Sequence, residues 1–182
     1  MKGLENAIRN LDILDTRMVP QASAWAINRV AQKAISQATR QVARDTVAGD
    51  NQMKGIPLKL VRGRVRMLSA SPSGKMYARI RINRGNLPAI KLNTTRRRAG
   101  DGLRVGKYFF RGAFIRQLAN GRWHVMRRID GKNRYPIDVV KIPLSGPLTQ
   151  AFEDARDRII AAEMPKQLGY ALKHQLRLYL TR

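Results

Sequence analysis

Apolar residues in this chain keep one spacing near its two ends and another in its middle, and that double change of period restricts the fold more than any single motif does. Leu4, Ile8, Leu11, Leu14 and Met18 recur every three or four residues, which predicts an amphipathic helix over residues 3–18. Pro20 does not continue that helix comfortably but suits the first turn of the next. From there Ala24, Ile27, Ala31, Ile35, Ala38 and Val42 form one stripe as far as about Arg44, and its alanines allow close helix–helix approach. Asn28, Arg29, Gln32, Lys33 and Arg40 occupy the opposite face.

After a break at "VAGDNQMKG", the stretch "IPLKLVRGRVRML" reads as a short basic helix, although Gly63 weakens it, so residues 1–68 are expected to form a helical arm. Beyond the turn "ASPSG" the period falls to two. In "MYARIRIN" Ala78, Ile80 and Ile82 alternate with Tyr77, Arg79 and Arg81, the pattern of a half-buried strand. "NLPAIKL" reads as a second short strand, which Pro88 pushes toward an edge. "NTTRRRAGDGLRVGK", residues 93–107, shows no period and is expected to be a basic loop, mobile in the free protein and ordered on assembly. "YFFRGAFIRQL" and "RWHVMRRI" flank Asn120-Gly121, a hairpin signal of type I′, and Asp130-Gly131 opens a second connection toward "YPIDVVKI". An antiparallel sheet over residues 76–142 follows.

"PLSGPL" returns the chain to helical spacing over residues 147–181, with Leu148, Phe152, Ala155 and Ile159 on one face and Leu168, Leu172, Leu176 and Tyr179 continuing it. Glu153, Asp154 and Asp157 lie near the start, where carboxylates favour the positive end of the dipole. Pro165 predicts a kink or a restart. The expected fold is α+β in a single domain over residues 1–182: N-terminal and C-terminal helices around a central antiparallel β-meander, with a long basic loop.

Thirty-six Lys and Arg against 12 Asp and Glu give a net charge of +24, while 43% hydrophobic residues are enough for a packed core. So unbalanced a charge calls for a polyanion, usually nucleic acid. The absence of cysteine excludes disulfides, thiolate nucleophiles and zinc–thiolate sites. The polar start lacks the apolar run of a signal peptide, and no stretch approaches a membrane span, so the chain is expected in the cytoplasm or in a particle assembled there.

Catalysis needs titrating or metal-binding groups within mutual reach. The chain has two histidines, His124 on an expected strand and His174 on the terminal helix. Its carboxylates are thinly spread, Ser69, Ser71 and Ser73 have no adjacent base, and "AGDGLRVG" lacks the context of a phosphate loop. No enzyme, no cofactor and no metal site is expected.

The arginines are better placed. Arg62, Arg64 and Arg66 are closely spaced, Arg79 and Arg81 share a strand face, and Arg96, Arg97 and Arg98 are consecutive. Arg127, Arg128, Lys132 and Arg134 surround the second hairpin. Guanidinium groups hold phosphate through paired hydrogen bonds, and these twelve residues are candidates for contacting DNA, or equally for bridging subunits. Aromatic residues are only 6% of the chain, which argues against base readout and for a charge-driven encounter. Trp123 and Tyr135 carry large apolar area with a polar handle and suit a subunit contact, though Trp123 equally suits a core.

"KGLENAIRNL", "VPQASAWAINRVAQKAISQATRQVAR", "GAFIRQLANGRWHVMRRIDGKNRYPIDVVKIPLSGPLTQAF" and "MPKQLGYALKHQLRLYL" together resemble the minor tail protein Z family of lambda-like tailed phages. The resemblance implies a non-catalytic virion protein at the head-proximal end of a long tail. There it would complete the tail, join it to the head and place the genome end for ejection. Implied partners are copies of itself in a ring of six, other tail proteins such as the tube or its terminator, head–neck proteins, and double-stranded DNA in the axial channel. The alternative is an accessory protein that binds DNA by charge alone, without sequence preference.

Overall fold

The structure, a computed structural model, describes residues 5, 12–46, 56–92, 96–105, 108–129 and 136–181; the side chains of Asp15 and of residues 96–99 lie outside that description. Helices occupy both ends of the chain and antiparallel strands its middle, so the fold is α+β, as the change of period predicts.

Residues 12 and 13 are helical, Leu14–Met18 forms a π-turn, and helix α1 (Val19–Asp45) follows without a break. The backbone N–H of Val19 donates to the Leu14 carbonyl, a bond one residue longer than the α-helical one. A proline ring inside a helix meets the carbonyl four residues back, and a widened turn just ahead of Pro20 relieves that contact. The expected boundary at Pro20 is therefore a bulge in a continuous run. Apart from Glu5, the earlier part of the helix expected over 3–18 lies outside the described residues.

The basic helix expected over residues 56–68 covers only α2 (Leu58–Arg62), since Gly63 ends it and strand β1 (Val65–Leu68) begins. β1 pairs antiparallel with β2 (Arg79–Ile82). The second expected strand is reduced to β3 (Leu87–Pro88), followed by a 3₁₀ turn over Ala89–Lys91. Residues 93–107 are not one aperiodic loop: β4 (Arg96–Ala99) and β5 (Gly102–Val105) form a hairpin joined by Gly100-Asp101. Gly100 has φ 53°, and glycine at the first of two loop positions is the mark of a type II′ turn. Leu103 and Val105 are buried and Arg104 is exposed, a period of two hidden among the charges.

β6 (Tyr108–Arg111) completes the sheet β4-β5-β6, and Gly112, at φ 64°, turns the chain into β7 (Ala113–Gln117) of a second sheet. "YFFRGAFIRQL" is thus two strands rather than one. β7, β8 (Trp123–Arg128) and β9 (Ile137–Val139) form the expected antiparallel meander, and β10 (Lys141–Ile142) pairs with β3. At the Asn120-Gly121 hairpin only Gly121 has positive φ, at 74°, so the turn is not type I′. Gly121 N–H donates to the Leu118 carbonyl and Leu118 N–H to the Arg122 carbonyl, each at 2.9 Å, which makes a type I turn with a glycine bulge. Asn120 Oδ1 accepts from the Arg122 N–H at 3.0 Å and holds that form. Helix α3 (Ser145–Leu180) then runs through Pro165 without a restart. Pro165 and Ala161 are exposed, so the carbonyl freed from the ladder meets water rather than an apolar interior.

The chain divides into two compact units. One comprises Met1–Ala38, Val65–Ile82 and Phe152–Arg182. Its centre is a seam of small side chains, Ala22 and Ala26 of α1 with Ala171 of α3, flanked by Met164 and Leu168. Lys33 donates to Glu163 Oε2 at 2.5 Å across the same two helices. The other unit comprises Thr39–Arg64 and Asn83–Ala151, where Val61, Leu87, Val105, Val125, Ile142, Leu144 and Leu148 are buried.

Candidate nucleic-acid interface

The β1–β2 ribbon pairs Val65 with Ile82, Arg66 with Arg81, Met67 with Ile80 and Leu68 with Arg79. Side chains alternate along a strand, so Val65, Met67, Ile80 and Ile82 share one half-buried face. Arg66, Leu68, Arg79 and Arg81 share the other, and all four are exposed. Arg66 and Arg81 stand directly opposite each other, a like-charge pair that costs stability in a ribbon with nothing to neutralise it. The Arg79 guanidinium carbon lies 5.6 Å over the ring of exposed Tyr77, a cation–π contact that keeps it on the same face. The turn after β1 is anchored to α1 by a reciprocal amide bridge. Asn28 Nδ2 donates to the Ala70 carbonyl at 3.0 Å, and the Ala70 N–H donates to Asn28 Oδ1 at 2.8 Å. Among the described residues the carboxylates that form ion pairs are Glu163, Asp101, Asp138 and Asp157, and none of these pairs is with Arg66, Arg79 or Arg81.

The other sequence candidates are placed differently. Arg62 is exposed on α2. Arg64 is spent on the fold: Nη1 donates to the carbonyl of Gly85 and, at 3.3 Å, to that of Asn83, and Nη2 donates to the Asn86 carbonyl at 3.3 Å. Partial burial draws its pKa down from the ordinary arginine value, yet an arginine remains charged. Arg96, Arg97 and Arg98 lie on β4. Arg127 and Arg128 are exposed on opposite faces of β8, with Arg128 5.8 Å over the Phe114 ring and Arg127 in register with Asp138. Lys132, Arg134 and Tyr135 lie outside the described residues. Trp123 is 51% exposed, which removes the core reading of that side chain.

Sequence reasoning did not single out Leu68, which the strand character of β1 adds to the arginine face; the alternation Val65-Arg66-Met67-Leu68 was the available signal. Nor did it find Trp25, 43% exposed on α1 with Arg29 5.5 Å over its ring. His124 is half-buried with Nδ1 unpartnered, and His174 is exposed on α3. Among the described residues no group of three His, Asp or Glu is placed to hold a metal ion, and no helix is long and apolar enough to cross a membrane.

The chain is thus an α+β protein that presents three exposed arginines on one face of a two-stranded ribbon. A family described as prophage minor tail protein Z matches residues 1–182. The chain is 48% identical to tail completion protein Z of Escherichia phage lambda, over all of this chain and 99% of that one. It is also 48% identical to the tail completion protein of Escherichia phage N15, over the same shares. No solved structure matches it. The chain belongs to the minor tail protein Z family.

Proposed function

We propose that this chain is a structural protein of a phage tail that completes the head-proximal end, aids head–tail joining and helps place the genome end for ejection. The relationship over the full length of two proteins named for tail completion carries this reading. It extends through residues 45–108, where the sequence motifs are sparse. The work is assembly rather than catalysis. The two units act together as one tail-completion domain, six copies form a ring, and neighbouring tail and head–neck proteins bind its rims. Exposed Trp123 serves, with Tyr135, as a subunit anchor, and the excess of 24 positive charges faces double-stranded DNA in the channel. Assembly takes place in the host cytoplasm.

A phage carrying a null allele tests the tail role. It should make heads and tails that fail to yield infectious particles, and the chain supplied in trans should restore them. Normal particle yield without the chain would remove the tail role and leave a DNA-binding accessory.

A further inference from the structure

We infer that the exposed face of the β1–β2 ribbon is a binding surface for the sugar–phosphate backbone of duplex DNA, with Arg66, Arg79 and Arg81 as its phosphate ligands. The proposal deepens the tail-completion reading, and rests on it only for where the duplex comes from. Three observations carry it. Arg66 and Arg81 are paired across the strands, where two like charges repel, and no described carboxylate bridges them. An anion held between them converts that repulsion into two charge-assisted contacts. Arg79 lies two residues from Arg81 on the same strand, about 7 Å away at the rise of an extended chain, so a third guanidinium continues the row. Its stacking over Tyr77 limits the freedom it has to lose on binding.

A second copy of this chain is a poor occupant, because it brings 36 cations against 12 carboxylates. A polyphosphate is the better match. Guanidinium groups in a row suit phosphates that recur at fixed intervals, and the ribbon's one other exposed side chain, Leu68, adds apolar contact but no hydrogen bond. Arg64 takes no part, because its guanidinium is occupied by the carbonyls of Asn83, Gly85 and Asn86.

The test uses the full chain and a 30-base-pair duplex of arbitrary sequence. Affinity is measured against salt for wild type, for R66Q/R79Q/R81Q, and for R40Q/R44Q/R158Q, which removes equal charge from exposed helix positions. Each phosphate contact contributes about 0.9 to the log–log salt slope, so the ribbon variant should lose about 2.7 from the slope while the helix variant loses much less. Both should retain the wild-type circular dichroism, and the ribbon variant should melt no lower than wild type, because the repulsion between Arg66 and Arg81 is gone. Equal slopes for the two variants would overturn the proposal. So would an unchanged slope with infectivity lost in the ribbon variant, which would assign the face to an acidic protein partner. Preference for one of two unrelated duplexes would replace backbone contact with base readout. Virions that never contain the chain would defeat the tail reading, yet a reduced ribbon slope would still stand.

Discussion

At Gly102 an added methyl group has nowhere to go. An ideal Cβ there lies 2.4 Å from the Phe110 carbonyl oxygen, 2.8 Å from Phe109 Cζ and 2.9 Å from Arg111 Cα, and two of these atoms are backbone of the paired strand. Gly102→Ala should therefore lower stability by about 1–3 kcal/mol, the usual cost of overpacking, measured as the shift in urea midpoint. Gly169 is the contrasting case, a glycine inside α3 whose Cβ meets nothing within 4 Å. Gly169→Ala should raise stability by about 0.5–1 kcal/mol, because alanine has less conformational freedom to lose in a helix. Opposite signs at the two sites would support both placements, and equal signs would contradict one of them. Arg64 marks the limit of reading residues from sequence: it looks like its neighbours Arg62 and Arg66, and only the fold shows its guanidinium bound to carbonyls.

Among the elements, α1 and α3 meet through Ala22, Ala26 and Ala171, none of which lies in the stripes that the spacing marks out; the alanine content of α1 indicated a close helix–helix approach, but not which alanines make it. Replacing Ala26, which is fully buried there, with Leu should cost about 1–3 kcal/mol, read from the denaturation midpoint. The same helices are tied by Lys33 and Glu163. Hydrogen bonding from Lys33, and secondarily from Gln167, holds the Glu163 carboxyl below the usual carboxylate range. A lowered folded pKa means stability that is present above the unfolded value, about 4.3, and lost as pH falls through the folded one. Glu163→Gln should thus melt slightly below wild type at pH 7, and the difference should close once acid has protonated Glu163. A gap that persists in acid would show that packing, not charge, is what the variant disturbs. Strand pairing was read less well. Consecutive arginines hid the strand at β4, and the helical spacing before Gly63 hid the one at β1, because a period of two over four residues carries little signal. The Asn120-Gly121 hairpin was foreseen, but not its bulge, since Asn120 serves as a side-chain acceptor rather than adopting positive φ.

For the molecule as a whole, the net charge of +24 is the property that its surroundings must answer. In isolation the chain should bind any duplex alike, and lose that binding by moderate salt, as counterion release dictates. Titration of two unrelated duplexes at two salt concentrations checks this, and discrimination between them would point to regulation rather than assembly. Electron microscopy of purified virions with the chain labelled tests the tail-completion role and the direction of the ribbon together. Six copies should form a ring where the tail meets the head, with the ribbon bearing Arg66, Arg79 and Arg81 directed at DNA on the axis. Label at the tail tip, along the tube, or absent from the particle would contradict that role.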